Sequence, residues 1–136
     1  MRPRRRSHAF VLEPEQFESL VRQAIDGLPI EYRRLLENVA IVVEDEPPQA
    51  VLDDFGLESP DDLLGLYSGV SRDNDSFFNA GGQLPARISI YRGPIMRLCR
   101  SAEEVVREVR DTVVHEIGHH FGLSDSDMAA IEAAAD

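Results

Sequence analysis

The sequence of 136 residues contains no tryptophan and a single cysteine, Cys99. One cysteine cannot form a disulfide within the chain, so the sequence predicts a fold held by packing alone and favours a reducing compartment. The chain is long enough to bury an ordinary core without cross-links. A lone thiol in such a domain is more often a small buried hydrophobe than a nucleophile. We therefore expect Cys99 to be a core residue.

Long hydrophobic runs are also missing. No apolar stretch approaches the roughly 20 residues that a membrane-spanning helix needs. The start, MRPRRRSHAF, is basic but is not followed by an apolar segment of signal-peptide length, so the sequence predicts neither secretion nor a membrane partner. With 43% hydrophobic and 29% charged residues, the composition is that of a folded, soluble protein. A cytoplasmic location is the expectation.

Positive charge is scarce, because the chain has 14 basic and 25 acidic residues and its formal net charge is −11. Such a surface repels polyanions, so we expect no nucleic-acid partner bound through a broad basic face. The exception is a basic tail that contains Arg2, Arg4, Arg5 and Arg6. We expect residues 1–9 to be a disordered tail, with a weak electrostatic arm as the alternative. Residues 10–136 are predicted to form a single domain.

The hydrophobic pattern predicts helices and strands in alternation. Helical periodicity covers residues 13–27 and 30–37, and residues 39–43 form a β-rich run before an acidic turn. Residues 51–84 are rich in glycine and acidic side chains, which predicts a loop with brief ordered pieces. Residues 86–92 alternate in the manner of a half-buried strand. Its part from Ile88 to Tyr91 is a weaker candidate for an edge to which an extended peptide adds by backbone hydrogen bonds.

The clearest pattern is a helix over residues 101–121. Ser101 is a good N-cap, and Glu104 completes a capping box. Gly122 permits a left-handed turn that ends the helix, and a short last helix is predicted from Asp127 to about Ala135. One apolar stripe is predicted to face the core, at Ala102, Val106, Val109, Val113, Ile117 and Phe121.

Two histidines, His115 and His119, lie four residues apart on this helix. They are offset by only about 40° around the helix axis and lie on the side opposite the apolar stripe, where two imidazoles can chelate one metal ion. Glu116 follows His115 directly and can stand beside a metal-bound water without binding the metal. Zinc lowers the pKa of its water to about 7, so this carboxylate can take the proton and pass it to a leaving amine.

A catalytic zinc needs a third protein ligand as well as an open position. Because Gly122 lets the chain double back, Asp125 is the candidate, six residues after His119. His120 and Asp127 are its competitors. His120 points about 100° away from His119 on the same helix, and Asp127 is equally suited to cap the last helix.

The segment HEIGHHFGLSD resembles the extended HExxHxxGxx(H/D) signature of the zincin metallopeptidases. Together with the short length and the segments LGLYSG at 64–69 and PARISIY at 85–91, it is similar to the minimal-zincin family of bacterial zinc metallopeptidases. The resemblance implies an α+β, minimal zincin-like fold. In that fold a small mixed sheet packs on the active-site helix, and further helices lie at the N- and C-terminal ends.

The same resemblance implies Zn²⁺ as the cofactor, with His115, His119 and Asp125 as metal ligands and Glu116 as the general base. Larger relatives with the long motif place a methionine turn well downstream of it. Here Met128 comes only three residues after Asp125.

The sequence therefore predicts a zinc-dependent metallopeptidase that acts on peptides or flexible protein segments. The first alternative is a non-catalytic, zinc-containing peptide-binding or regulatory module. A metal-dependent nuclease is a further alternative, which the acidic composition disfavours. The simplest alternative is a solvated helix face that carries two histidines by chance. Tyr67 and Tyr91 are weaker candidates for stabilising an oxyanion.

Overall fold

The computed structural model describes residues 10–69 and 86–135, so the predicted basic tail of residues 1–9 lies outside the described residues. The segment predicted to be mostly loop, residues 51–84, contains short elements in its described part. Elements are named below in chain order. The described residues form α1 (Pro14–Asp26), α2 (Ile30–Leu35), β1 (Val39–Glu44), α3 (Gln49–Asp54), a 3₁₀ turn (Pro60–Asp62), β2 (Gly65–Ser68), β3 (Ala86–Tyr91), α4 (Arg92–Leu98), α5 (Ala102–His120) and α6 (Asp125–Ala134).

The three strands form one mixed sheet in the order β1-β3-β2. β3 lies in the centre, parallel to β1 and antiparallel to β2, with Ile88 opposite both Ile41 and Tyr67. The prediction that β3 offers an open edge is wrong, because β3 is hydrogen-bonded on both sides. Of the described strands, β1 and β2 are the edges. The α+β architecture with a small mixed sheet and flanking helices is confirmed.

The core lies between the sheet, α1 and α5. Ile88 and Ile90 of β3 are fully buried, as are the stripe residues Val109, Val113 and Ile117 of α5. Burying a side chain of this size contributes about 1.5–3 kcal/mol relative to leaving it exposed. This packing fixes one face of α5 against the sheet and leaves the opposite face toward solvent.

The predicted stripe is wrong at its two ends. Ala102 is exposed and Phe121 is 48% exposed, while Val105 and Val114 are fully buried. Phe121 is the C-cap residue, where the chain leaves the helix. Val114 is covered because the buried Tyr32 of α2 docks there and donates a hydrogen bond of 2.6 Å from its hydroxyl to the carbonyl of Val114. A second packing partner therefore widens the buried face beyond a single stripe.

Two boundaries of the helical region differ from the sequence prediction. The hydroxyl of Ser101 accepts a hydrogen bond from the N–H of Glu104, as an N-cap does, at 3.1 Å. The Glu104 carboxylate, however, accepts from Arg100 instead of Ser101, so only half of the predicted capping box forms. The chain after β3 continues directly as α4, a helix that was not predicted; Pro94 is accommodated in its first turn.

Within the described residues no helix is long and apolar enough to cross a membrane.

Cys99 is a core residue, as predicted, with 4% of its surface exposed. Burial raises the pKa of its thiol to about 11, and the negative charges of Glu108 and Glu104 add to this shift. Because the thiolate is the reactive form, we expect the native protein at pH 8 to react with an aromatic disulfide reagent far more slowly than free cysteine does. The same protein in urea should react rapidly. Rapid reaction of the native thiol would contradict its burial.

Candidate metal centre

The second half of α5 carries the two predicted histidine ligands. His115 and His119 are both exposed, whereas Val113 and Ile117 beside them are buried. Their ring centroids lie 6.2 Å apart and the ring planes meet at 76°. The helix therefore presents two imidazoles, one turn apart, on its solvent side, where an ion can reach both.

Glu116 is held against the edge strand β2. Its Oε1 atom accepts a hydrogen bond of 2.9 Å from the backbone N–H of Tyr67. The strand comes this close because Gly65 has no side chain: a Cβ atom there would lie 2.6 Å from Cγ2 of Thr112 and 2.9 Å from the carbonyl oxygen of Ser89. The backbone of β2 thus holds one oxygen of the Glu116 carboxylate, and the second oxygen can accept a proton.

An open cleft of about 310 Å³ lies beside these residues. This size is at the lower end of the volumes typical of ligand pockets, and it suits a side chain or a short extended segment. Its lining combines the 3₁₀ turn, the start of β2 and the middle of α5: Asp62, Leu63, Leu64, Gly65, Asp111, Thr112, His115 and Glu116. Apart from His115, the ionisable side chains in this lining are carboxylates, so the cleft favours cationic ligands.

The two tyrosines that were weak oxyanion candidates have different environments. Tyr91 is 2% exposed and lies in the core, where burial raises the pKa of its hydroxyl. Tyr67 lies at the site, and its hydroxyl is 3.1 Å from Nε2 of His120; the two ring centroids lie 4.2 Å apart, with the ring planes tilted by 32°. His120 therefore pairs with Tyr67 on a different side of α5 from His115 and His119.

The turn after α5 follows the sequence prediction in outline. Gly122 has a φ of 74°, which is the left-handed conformation expected at a helix end. The chain then reverses into α6, which begins at Asp125, two residues earlier than predicted, because Ser124 is the N-cap. Ser124 and Asp127 form a capping box, which agrees with the capping role considered for Asp127. Asp125 is exposed in the first turn, and its role as a zinc ligand stays a prediction.

Glu132 of α6 is a site residue that sequence reasoning missed. Its Oε2 atom lies 2.9 Å from Nε2 of His115, and its side chain is only 23% exposed. This oxygen is buried and has no hydrogen-bond partner among the described residues. The only signal in the sequence is its spacing, since Glu132 follows Met128 by four residues and both therefore share one helix face. In the structure Met128 is fully buried against Gly118.

The donor chemistry of this region fits zinc. Within residues 10–69 and 86–135, no three histidine, cysteine, aspartate or glutamate side chains are already grouped as a metal cage. Two imidazoles with nearby carboxylates are nevertheless the nitrogen and oxygen donors that catalytic zinc takes. Glu132 adds a further carboxylate oxygen beside this pair, because its Oε2 atom lies 2.9 Å from Nε2 of His115.

The fold and the site define a small α+β protein in which one helix presents two histidines, one turn apart, and a glutamate that contacts the edge strand. The family model described as zincin-like metallopeptidase matches residues 36–135. The chain therefore belongs to the zincin-like metallopeptidase family, and the resemblance seen in its sequence is confirmed.

Comparison with solved structures supports the same fold. A conserved hypothetical protein from Thermo thermophilus is similar, with a TM-score of 0.54 and 25% sequence identity over 81% of this chain and 94% of that chain. None of the curated proteins matches the chain significantly.

Proposed function

We propose that this protein is a zinc-dependent peptidase that cleaves peptides or flexible protein segments. The observation that carries the proposal is the placement of Glu116. Its carboxylate follows the first histidine of the pair, lines the cleft and is held by the N–H of Tyr67. A carboxylate oriented in this way beside a histidine pair is suited to move a proton during attack on a carbonyl.

In the proposed reaction the protein's own residues hold the metal and move the proton. His115 and His119 would bind the zinc, with Asp125 as the third ligand that the family motif implies. When bound, zinc supplies a water of lowered pKa and a positive charge that polarises the carbonyl. Glu116 takes the proton of the attacking water and returns it to the leaving amine. The hydrogen bond from Tyr67 keeps the carboxylate oriented through both transfers.

The surroundings of the site support a peptide substrate. β2 is an edge strand among those described, and its first residue lines the cleft. An extended peptide can add to such an edge by backbone hydrogen bonds. Asp62 and Asp111 in the cleft wall, together with the net charge of −11, favour peptides that carry basic residues.

Metal removal tests this proposal. Dialysis against a chelator should abolish cleavage of a mixed peptide library, and one equivalent of Zn²⁺ should restore it. His119→Ala should lose both zinc and cleavage, because it removes one of the two imidazoles. His120→Ala is the matched control, since this neighbouring histidine faces Tyr67, and it should retain its zinc.

Three results would decide against the proposal. Cleavage that survives metal removal would contradict zinc dependence. Equal zinc content in His119→Ala and in the wild type would contradict the histidine site. Bound zinc together with peptide binding but no cleavage would identify the non-catalytic peptide-binding module instead.

A further inference from the structure

We propose that His120 is a positioning residue, which acts through Tyr67 to hold Glu116 in the orientation needed for proton transfer. This inference deepens the proposed function and rests on Glu116 as its base. His120 follows the second histidine of the pair directly, and the proposed reaction gives it no role of its own.

One face of α5 runs along β2. The residues of this face are spaced four apart and therefore lie one above the other: Thr112, Glu116 and His120. Thr112 lies where Gly65 allows the strand to come close. Glu116 and His120 both contact Tyr67. The helix thus contacts β2 at three successive turns, and His120 makes the last of these contacts.

Tyr67 is held by α5 at two points. Its backbone N–H donates to Oε1 of Glu116 at 2.9 Å. Its hydroxyl lies 3.1 Å from Nε2 of His120, and the two ring centroids are 4.2 Å apart. Because the ring and the N–H belong to one residue and side chains occupy few rotamers, a fixed ring restricts where the N–H can lie. The contact with His120 therefore bears on the orientation of Glu116.

The short strand β2 receives support from the sheet on one side. It has four residues and pairs with β3. The carbonyl of Leu64, just before β2, accepts a hydrogen bond of 2.9 Å from the N–H of Tyr91 in β3. The N–H of Tyr67 instead points to Glu116, so the ladder with β3 does not hold it. Contacts with α5 are needed to fix this N–H.

The imidazole of His120 is itself supported by a second ring. The ring of Phe121 lies 5.0 Å from it, centroid to centroid, and the planes meet at 83°. Aromatic rings favour such edge-to-face contacts. Contacts with both Phe121 and Tyr67 restrict the imidazole of His120 although this residue is exposed. It is therefore suited to hold Tyr67 in place.

Amide hydrogen exchange of the purified full-length protein, followed by NMR, tests the position of the Tyr67 N–H directly. We expect His120→Ala to speed exchange of the Tyr67 amide by about tenfold or more, because its bond to Glu116 opens more often. The Tyr91 amide is the internal control, since it bonds to the carbonyl of Leu64, and it should change by less than about twofold. His120→Gln keeps a group that can hydrogen-bond the Tyr67 hydroxyl and should restore slow exchange.

Kinetics separate positioning from a general loss of stability. In His120→Ala we expect kcat to fall by about 10- to 100-fold, up to the effect of a misplacement of about 1 Å. KM and zinc content should stay near the wild-type values, because the groups proposed to contact substrate and metal remain. Leu52→Ala is the matched control, since this buried residue of α3 lies outside the main core cluster. It should lower stability and leave kcat unchanged.

Four results would overturn the proposal. The first is unchanged exchange of the Tyr67 amide in His120→Ala. The second is equal acceleration of the Tyr67 and Tyr91 amides, which would indicate a merely structural contact. The third is a kcat equal to that of the wild type, and the fourth is loss of zinc from His120→Ala, which would make His120 a ligand.

The outcomes for positioning and for catalysis are separate. A wild-type protein that binds zinc but cleaves no peptide would refute the proposed peptidase. The exchange of the Tyr67 amide would still decide whether His120 holds the N–H that Glu116 accepts.

Discussion

Glu116→Gln is expected to lower kcat/KM for peptide cleavage by about 10³- to 10⁴-fold, at the upper end of what a general acid–base residue contributes. The expected loss is large because one carboxylate is proposed to accept a proton and then to donate it. Glutamine has nearly the same shape, and its amide oxygen can still accept the N–H of Tyr67. Zinc content should therefore remain at the wild-type level while turnover is lost.

The measurement combines kcat/KM on a fluorogenic peptide with the zinc content of each preparation. Glu103→Gln is the matched control, because this exposed glutamate lies in the first turn of α5 and does not line the cleft. Its kcat/KM should stay within about twofold of the wild type, as expected for a surface substitution away from the site. Full activity in Glu116→Gln would require a different base. Loss of zinc from this variant would show that Glu116 binds the metal itself.

Gly65→Ala is expected to affect stability and activity together. The added Cβ would lie 2.9 Å from the carbonyl oxygen of Ser89, a backbone atom of the central strand that cannot move without disturbing the sheet. Overpacking of this kind costs about 1–3 kcal/mol. A displaced β2 also moves the N–H of Tyr67 away from Glu116, and a misplacement of about 1 Å can lower the rate about 100-fold.

The test compares urea unfolding and kcat/KM of Gly65→Ala with those of the double variant that carries both Gly65→Ala and Thr112→Ser. Thr112→Ser removes the methyl group that the new Cβ would meet at 2.6 Å, but it leaves the carbonyl of Ser89 in place. We therefore expect Thr112→Ser to restore only part of the lost stability and activity. Complete restoration would assign the effect to the side chain alone. Wild-type behaviour of Gly65→Ala would show that close approach of β2 is not needed.

The sequence by itself determined the features that depend on local spacing. The periodicity of α5, its end at Gly122 and the exposure of His115 and His119 follow from a helix of known pitch with one apolar face. Glu116 next to His115 completes a motif within a single helix. The family and its α+β fold were also recognisable, because the segments that carry the resemblance are short and contiguous.

Only the tertiary structure decided which distant segments meet this helix. The order β1-β3-β2 makes β3 central, and a strand's own alternation does not reveal how many partners it has. The hydrogen bond from Tyr67 to Glu116 joins residues 49 positions apart, so it depends on how β2 is placed over α5. Glu132 reaches His115 because the turn at Gly122 and the packing of Met128 fold α6 back. Local spacing thus identified His115, His119 and Glu116, whereas long-range packing determines which groups surround them.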